Sequence, residues 1–231
     1  MDLSPSALWN SMGVIAKTVT ITLLVMAFAS LVVFVERLWV YFRTQRRSRA
    51  FALASGPALE AQRFAELPTL CRQHEGSLLA ELVAAGLAVF TRALAGPPGH
   101  VAPVELARRE LDRRLETLAA RLRRGLPILA SVSSVAPFVG LFGTVVGIIT
   151  AFEGIAREGG GGLGAVSAGI AEALAVTGVG LAVAIPTVLA FNLLQTISDR
   201  IELALSTAAS ELTDVLENAH GDGQGPQAGK G

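Results

Sequence analysis

Three stretches of this chain carry no charged residue: Thr18 to Val35, Ile128 to Phe152 and Ala173 to Ile197. Nothing else in the sequence limits the fold as tightly. A helix needs about 20 apolar residues, range about 17–25, to cross a hydrocarbon layer. The second and third stretches meet that length outright. The first meets it once Val14 to Lys17 is added, because Lys17 can carry its ammonium to the interface on a flexible stem. In lipid the backbone must satisfy its own hydrogen bonds, so each crossing is a helix. The expected fold is therefore an all-α membrane protein with three transmembrane helices. "ITLLVMAFAS" also imitates a signal-peptide core ending in Ala-Phe-Ala. However, apolar residues continue past Ala29 to Val35 and no basic cluster precedes them, so an uncleaved anchor fits better.

The charged residues set the orientation. Acidic and basic side chains balance at 19 each, which points to no nucleic-acid partner. Five arginines, Arg37, Arg43, Arg46, Arg47 and Arg49, follow the first span, and seven more lie between Arg108 and Arg124. The segment between spans two and three has only Arg157 beside Glu153, Glu158 and Glu172. The excess of positive charge on cytoplasmic loops then places residues of about 36–127 inside, the N-terminus outside and the C-terminus inside. Trp39 and Tyr41 fall where an interfacial aromatic belt is expected. The Arg37–Arg49 run can equally hold lipid phosphate, and the two readings are compatible.

The expected layout is an outer N-terminus (1–13), spans at 14–36, 128–152 and 169–197, and a cytoplasmic helical domain (37–127). An outer loop (153–168), a C-terminal helix (198–220) and a disordered Gly-rich tail (221–231) complete it. Within the cytoplasmic domain, Leu59 to Leu94 has apolar residues at mixed three- and four-residue spacing, interrupted by Pro68 and Gly76. "GPPGHVAP" at Gly96 to Pro103 is a turn. From Val104, Leu106, Leu111, Leu115, Leu118 and Leu122 form an apolar stripe, and Glu110 stands three and four residues from Arg113 and Arg114. This helix is expected to run into span two as one rod bent at Pro127. Ile201, Leu205, Leu212 and Leu216 repeat the amphipathic pattern after span three.

The chemistry-bearing positions are few. A single Cys71 excludes an intrachain disulfide, and His74, His100 and His220 are too scattered to suggest a zinc site. No nucleophile–base set can be placed, so an enzyme is not expected. "GLFGTVVG" lacks the Gly-Lys-Ser/Thr ending of a phosphate loop. In span two, Ser133, Pro137, Gly140, Thr144, Gly147 and Ala151 recur at steps of four and three, along one helical stripe. In span three, Gly169, Ala173, Thr177, Gly180 and Ala184 do the same. Small residues let membrane helices approach closely, so Gly140, Gly147, Gly169, Ala173 and Gly180 read as packing positions. The first span is bulky and is expected to face lipid. The hydroxyls of Thr144 and Thr177 either bond back to their own helices or line a wet cavity. Glu172, at the outer end of a span, is either functional or reaches out to water.

"APFVGLFGTVVGIITAFEGIA" (Ala136 to Ala156) followed by "GIAEALAVTGVGLAVAIPTVLAFN" (Gly169 to Asn192) resembles the signature of the ExbB/TolQ/MotA proton-channel family. Three spans rather than four make the chain more similar to the ExbB/TolQ branch. Departures are Phe142 where leucine is common, the extra charge of Glu153, and the Gly159 to Gly162 run. The resemblance implies a homopentamer in the bacterial inner membrane, its pore lined by spans two and three. It implies a dimeric single-span partner of the ExbD, TolR or MotB type carrying a transmembrane aspartate, and an effector that spans the periplasm. Thr144, Thr177 and Glu172 take the family's pore and proton-pathway positions, with protons as the coupling ion and no bound cofactor. Ton- or Tol-like energy transduction is the implied function. A gliding-motility stator of the same family and a non-conducting membrane scaffold are the alternatives.

Overall fold

The computed structural model describes Trp9 and residues 12–61, 63–97, 100–158 and 163–222. The Gly159 to Gly162 run and most of the expected tail lie outside these residues. Among the described residues there are six helices and no strand: α1 (Val14–Glu60), α2 (Leu67–Gln73), α3 (Leu78–Ala95), α4 (Pro103–Leu122), α5 (Leu126–Glu158) and α6 (Leu163–Asp222). They divide into two compact units, residues 1–37 with 125–195, and residues 38–124 with 196–231.

The first unit holds the first two charge-free stretches and the third as far as Gln195. Its core joins Ala16, Val19 and Leu23 of α1 to Val132 and Ala136 of α5 and to Val176, Val183 and Ala184 of α6. The expectation that the first span faces outward therefore holds for one side only. Leu24, Val25 and Phe28 are exposed, and so are Phe138 of α5 and Leu174 and Leu189 of α6. Such a continuous apolar exterior suits lipid rather than water. α5 and α6 extend past the expected span ends at 152 and 169, into the segment read as an outer loop.

The second unit is a helical body with a soluble-type core. Tyr41, Phe51, Leu67, Leu82, Leu111, Leu118 and Leu216 are fully buried there. The expected α6 stripe holds, with Ile201, Leu205, Leu212 and Leu216 buried; that of α4 holds at Leu111, Leu118 and Leu122, whereas Leu106 and Leu115 are half-buried and Val104 and Ala107 are buried instead. α3 lies antiparallel on α4, with Gly86 so close to Leu111 that a Cβ would sit 2.9 Å from its Cδ2. Glu81 of α3 pairs with Arg121 at 2.9 Å and Arg114 at 3.5 Å, while Glu110 pairs with Arg113 alone.

Two expectations are corrected. The rod through Pro127 is broken instead at Arg123–Gly125, where Gly125 adopts φ +86°. A side chain is strained in that region, and Pro127 then takes a first-turn position where its missing N–H costs nothing. Tyr41 is not in an interfacial belt. It is buried, and its hydroxyl donates to the Leu122 carbonyl at 2.7 Å, closing the end of α4. Among the described residues four helices are long and apolar enough to cross a membrane: those holding the three expected spans, and α3 over Leu78–Ala95. Glu81 and Arg92 interrupt that segment, so a search for charge-free runs passes over it.

Cys71 is buried, and desolvation pushes its thiol above the usual range. Iodoacetamide near pH 8 is expected to label the native chain slowly and the denatured chain fast. Leu118→Ala, which empties a fully buried site, should cost about 2–5 kcal/mol of stability and so lower the denaturant midpoint of that labelling.

Candidate functional site: the α5–α6 contact

The two stripes of small residues face each other. A Cβ at Gly140 would meet Thr177 Cα at 3.1 Å and Gly180 Cα at 3.2 Å, and one at Gly180 would meet the Ala136 carbonyl at 2.9 Å. Gly147 stands against Ala173, and Gly169 against Ala151, with hypothetical Cβ contacts of 2.8 and 2.7 Å. Each step along α5 is matched by a step back along α6, so the helices run antiparallel in backbone contact. All five predicted packing positions lie in this seam. Gly143, outside the predicted stripe, is as tight: it meets Val176 and, from α1, Val19.

Backbone contact brings the two hydroxyls together. Thr177 Oγ1 donates across the seam to the Gly140 carbonyl at 2.9 Å. Thr144 Oγ1 donates back to Leu141 of its own helix at 2.7 Å, and the two oxygens stand 3.3 Å apart. Thr144 is 7% exposed and Thr177 is half-buried. With both protons directed to carbonyls, the oxygens present lone pairs, and a hydroxyl has two. The pair can therefore accept a hydrogen bond from water or from a protonated carboxyl group, and rotation of either hydroxyl turns it into a donor.

Glu172 is placed apart. It precedes Thr177 by five residues, about 7.5 Å along the helix axis. Its Oε1 accepts from the backbone N–H of Gly13 at 2.8 Å, just before α1 begins. That is the bond a glutamate makes within one helix in a capping box, supplied here from a different helix. A cavity of about 380 Å³ lined by Gly13, Val14, Gly147, Thr150 and Glu172 adjoins it.

One polar contact was missed by the sequence reading. Thr187 Oγ1 reaches Ser30 Oγ at 3.3 Å and the Val183 carbonyl at 2.7 Å, and both residues are buried. Extending the α6 stripe one step of three beyond Ala184 would have found it. Among the described residues no group of three His, Cys, Asp or Glu side chains is close enough to hold a metal ion.

A family model described as the MotA/TolQ/ExbB proton channel family matches residues 77–207. Biopolymer transport protein ExbB of Pseudomonas putida is 32% identical over 198 residues, covering 83% of this chain and 56% of that protein. Tol-Pal system protein TolQ of Pseudomonas aeruginosa is 44% identical over 96 residues, 42% of either chain. The ExbB of Salmonella typhimurium is 46% identical over 83 residues, 36% of this chain and 34% of its own. The chain thus spans about half, or less, of the length of these relatives.

Because the atoms facing Gly140 and Gly180 are backbone, they cannot yield to a methyl group. Gly140→Ala and Gly180→Ala are expected to lower the thermal midpoint of the detergent-solubilised chain by several degrees. Gly178→Ala, with nothing within 4 Å, should leave it unchanged or raise it slightly.

Proposed function

Since the chain belongs to the MotA/TolQ/ExbB proton channel family, we propose that it is the channel-forming subunit of a proton-driven motor in the bacterial inner membrane. In this reading it couples proton flow to mechanical work on the cell envelope, in the manner of a Ton or Tol system. The hydroxyl pair Thr144–Thr177, held in the seam where the α5 and α6 backbones approach at Gly140 and Gly180, is the observation that carries it.

Three of the four candidate helices cross the bilayer in this reading, at 14–36, 128–152 and 169–197. α3 stays in the helical body, because Ala80, Leu82, Val83, Leu87 and Phe90 are already buried there. Its Glu81 is also ion-paired with arginines of α4. The body is cytoplasmic and the N-terminus periplasmic, as the arginine excess at 37–49 and 108–124 favours.

Five copies surround two helices of an ExbD- or TolR-type dimer, whose transmembrane aspartate carries the proton. No acidic residue of this chain lies in the middle of a span, so the carboxyl group must come from a partner. A charge at mid-membrane costs about 2.5–3.5 kcal/mol or more, which protonation removes. The neutral carboxyl group then lets the partner helix slide past an apolar sector, and release of its proton to the cytoplasm restores its attraction to the next hydroxyl pair. Each proton supplies about 2.3 kcal/mol per 100 mV of membrane potential. A fivefold ring and a twofold axle cannot match in symmetry, which favours stepping over a static seal.

A non-conducting scaffold is the competing reading. It is favoured by one fact: both threonine protons are already taken by backbone carbonyls, as packing alone would require. Thr144→Val and Thr177→Val separate the two. Each is expected to abolish proton-coupled work in cells while leaving the oligomer intact on gel filtration; full activity in both variants supports the scaffold. Glu172→Gln keeps an acceptor for the Gly13 amide, whereas Glu172→Leu does not. If Glu172 also serves the proton path, the Gln variant loses proton flux in proteoliposomes with α1 still fastened. Wild-type flux with Gln would leave Glu172 as a cap alone.

A further inference from the structure

Past the first charge-free stretch, α1 presents Trp39, Phe42, Arg43, Arg46 and Arg47 around a cavity of about 570 Å³. Positions 39, 42, 43 and 46 follow the spacing that places side chains along one helical face. Trp39 and Phe42 are 60% and 59% exposed, and the Arg43 guanidinium stands over the Trp39 ring at 5.0 Å from its centroid. Arg47 is steadied by donating to the Glu75 carbonyl at 3.2 Å. Elsewhere in the same unit Arg109, Arg113, Arg121 and Arg123 are paired with carboxylates at 2.8–2.9 Å. Among the described residues no carboxylate is paired with Arg43 or Arg46.

We propose that Trp39, Phe42, Arg43 and Arg46 form a binding site for the headgroup of an anionic phospholipid. Arg43 lies seven residues beyond Glu36, about 10 Å along the helix axis. The polar layer of one leaflet is about 5–7 Å deep, and a long arginine stem reaching back closes the difference. A phosphodiester offers the guanidinium forks two free oxygens. The exposed faces of Trp39 and Phe42 have use only for a ligand with an apolar part, which selects a lipid over free phosphate. A choline headgroup would bring its own cation beside these arginines, so the net anionic lipids are preferred. The proposal requires that α1 cross the bilayer and is independent of proton conduction.

The test uses the full chain in detergent, with phosphatidylglycerol or phosphatidylcholine of identical acyl chains added in equal amounts and retention read by native mass spectrometry. Phosphatidylglycerol should be retained preferentially, and Arg43→Gln with Arg46→Gln should reduce that retention about tenfold or more, at about 1 kcal/mol per arginine. A second readout needs no arginine variant: in a Trp9→Phe chain, phosphatidylglycerol should shift Trp39 emission and inorganic phosphate should not. Equal retention of the two lipids, a preference untouched by the double substitution, or a shift reproduced by phosphate alone would overturn the site. Loss of lipid preference with proton flux intact would count against this site only, and lost flux with preference intact against the motor reading only.

Discussion

The contact of α5 and α6 at Gly140 and Gly180 is the constraint on which the first unit depends. Lipid offers no hydrophobic reward for bringing helices together, so association there rests on close packing and interhelical hydrogen bonds. The missing side chains at these two positions let the Thr177 hydroxyl reach the Gly140 carbonyl at 2.9 Å. A helix commits one lone pair of each carbonyl to its own ladder, and Thr177 uses the other. Enlarging either glycine would part the backbones and separate Thr144 from Thr177 as well. Packing and polar chemistry are therefore one feature of the seam.

The second unit obeys different rules. Its helices bury leucines and aromatics as a water-soluble domain does, and its charges are used in pairs: Glu81 with two arginines of α4, and Glu202 with Arg123 at 2.8 Å. Exposed pairs of this kind contribute little individually. Their value lies in orientation, since Glu81 fixes the start of α3 against the end of α4. Where charge is present, specificity comes from ion pairs. In the first unit it comes from glycine positions and hydroxyls.

The seam was legible in the sequence because a helical period of three and four is a local property, and both stripes could be counted before anything was known of their packing. The stripe at the end of α6, and most of that of α4, were legible for the same reason. What escaped was decided by distant or conformational facts. Tyr41 reads the same whether it faces an interface or a carbonyl 81 residues away. The break before α5 lies in one backbone angle at Gly125, while Pro127, the more conspicuous residue, merely accommodates it. Whether Glu172 faces solvent or a partner could not be read either, because the amide it holds is 159 residues distant.

That last bond also orders events in time. While the ribosome is still making the chain, α1 is complete before the carboxylate that holds its opening amide at Gly13 exists. Glu172 emerges 159 residues later, so α1 stays unfastened until this part of α6 has been made. A chain cut short before α6 would leave its first helix without that clasp.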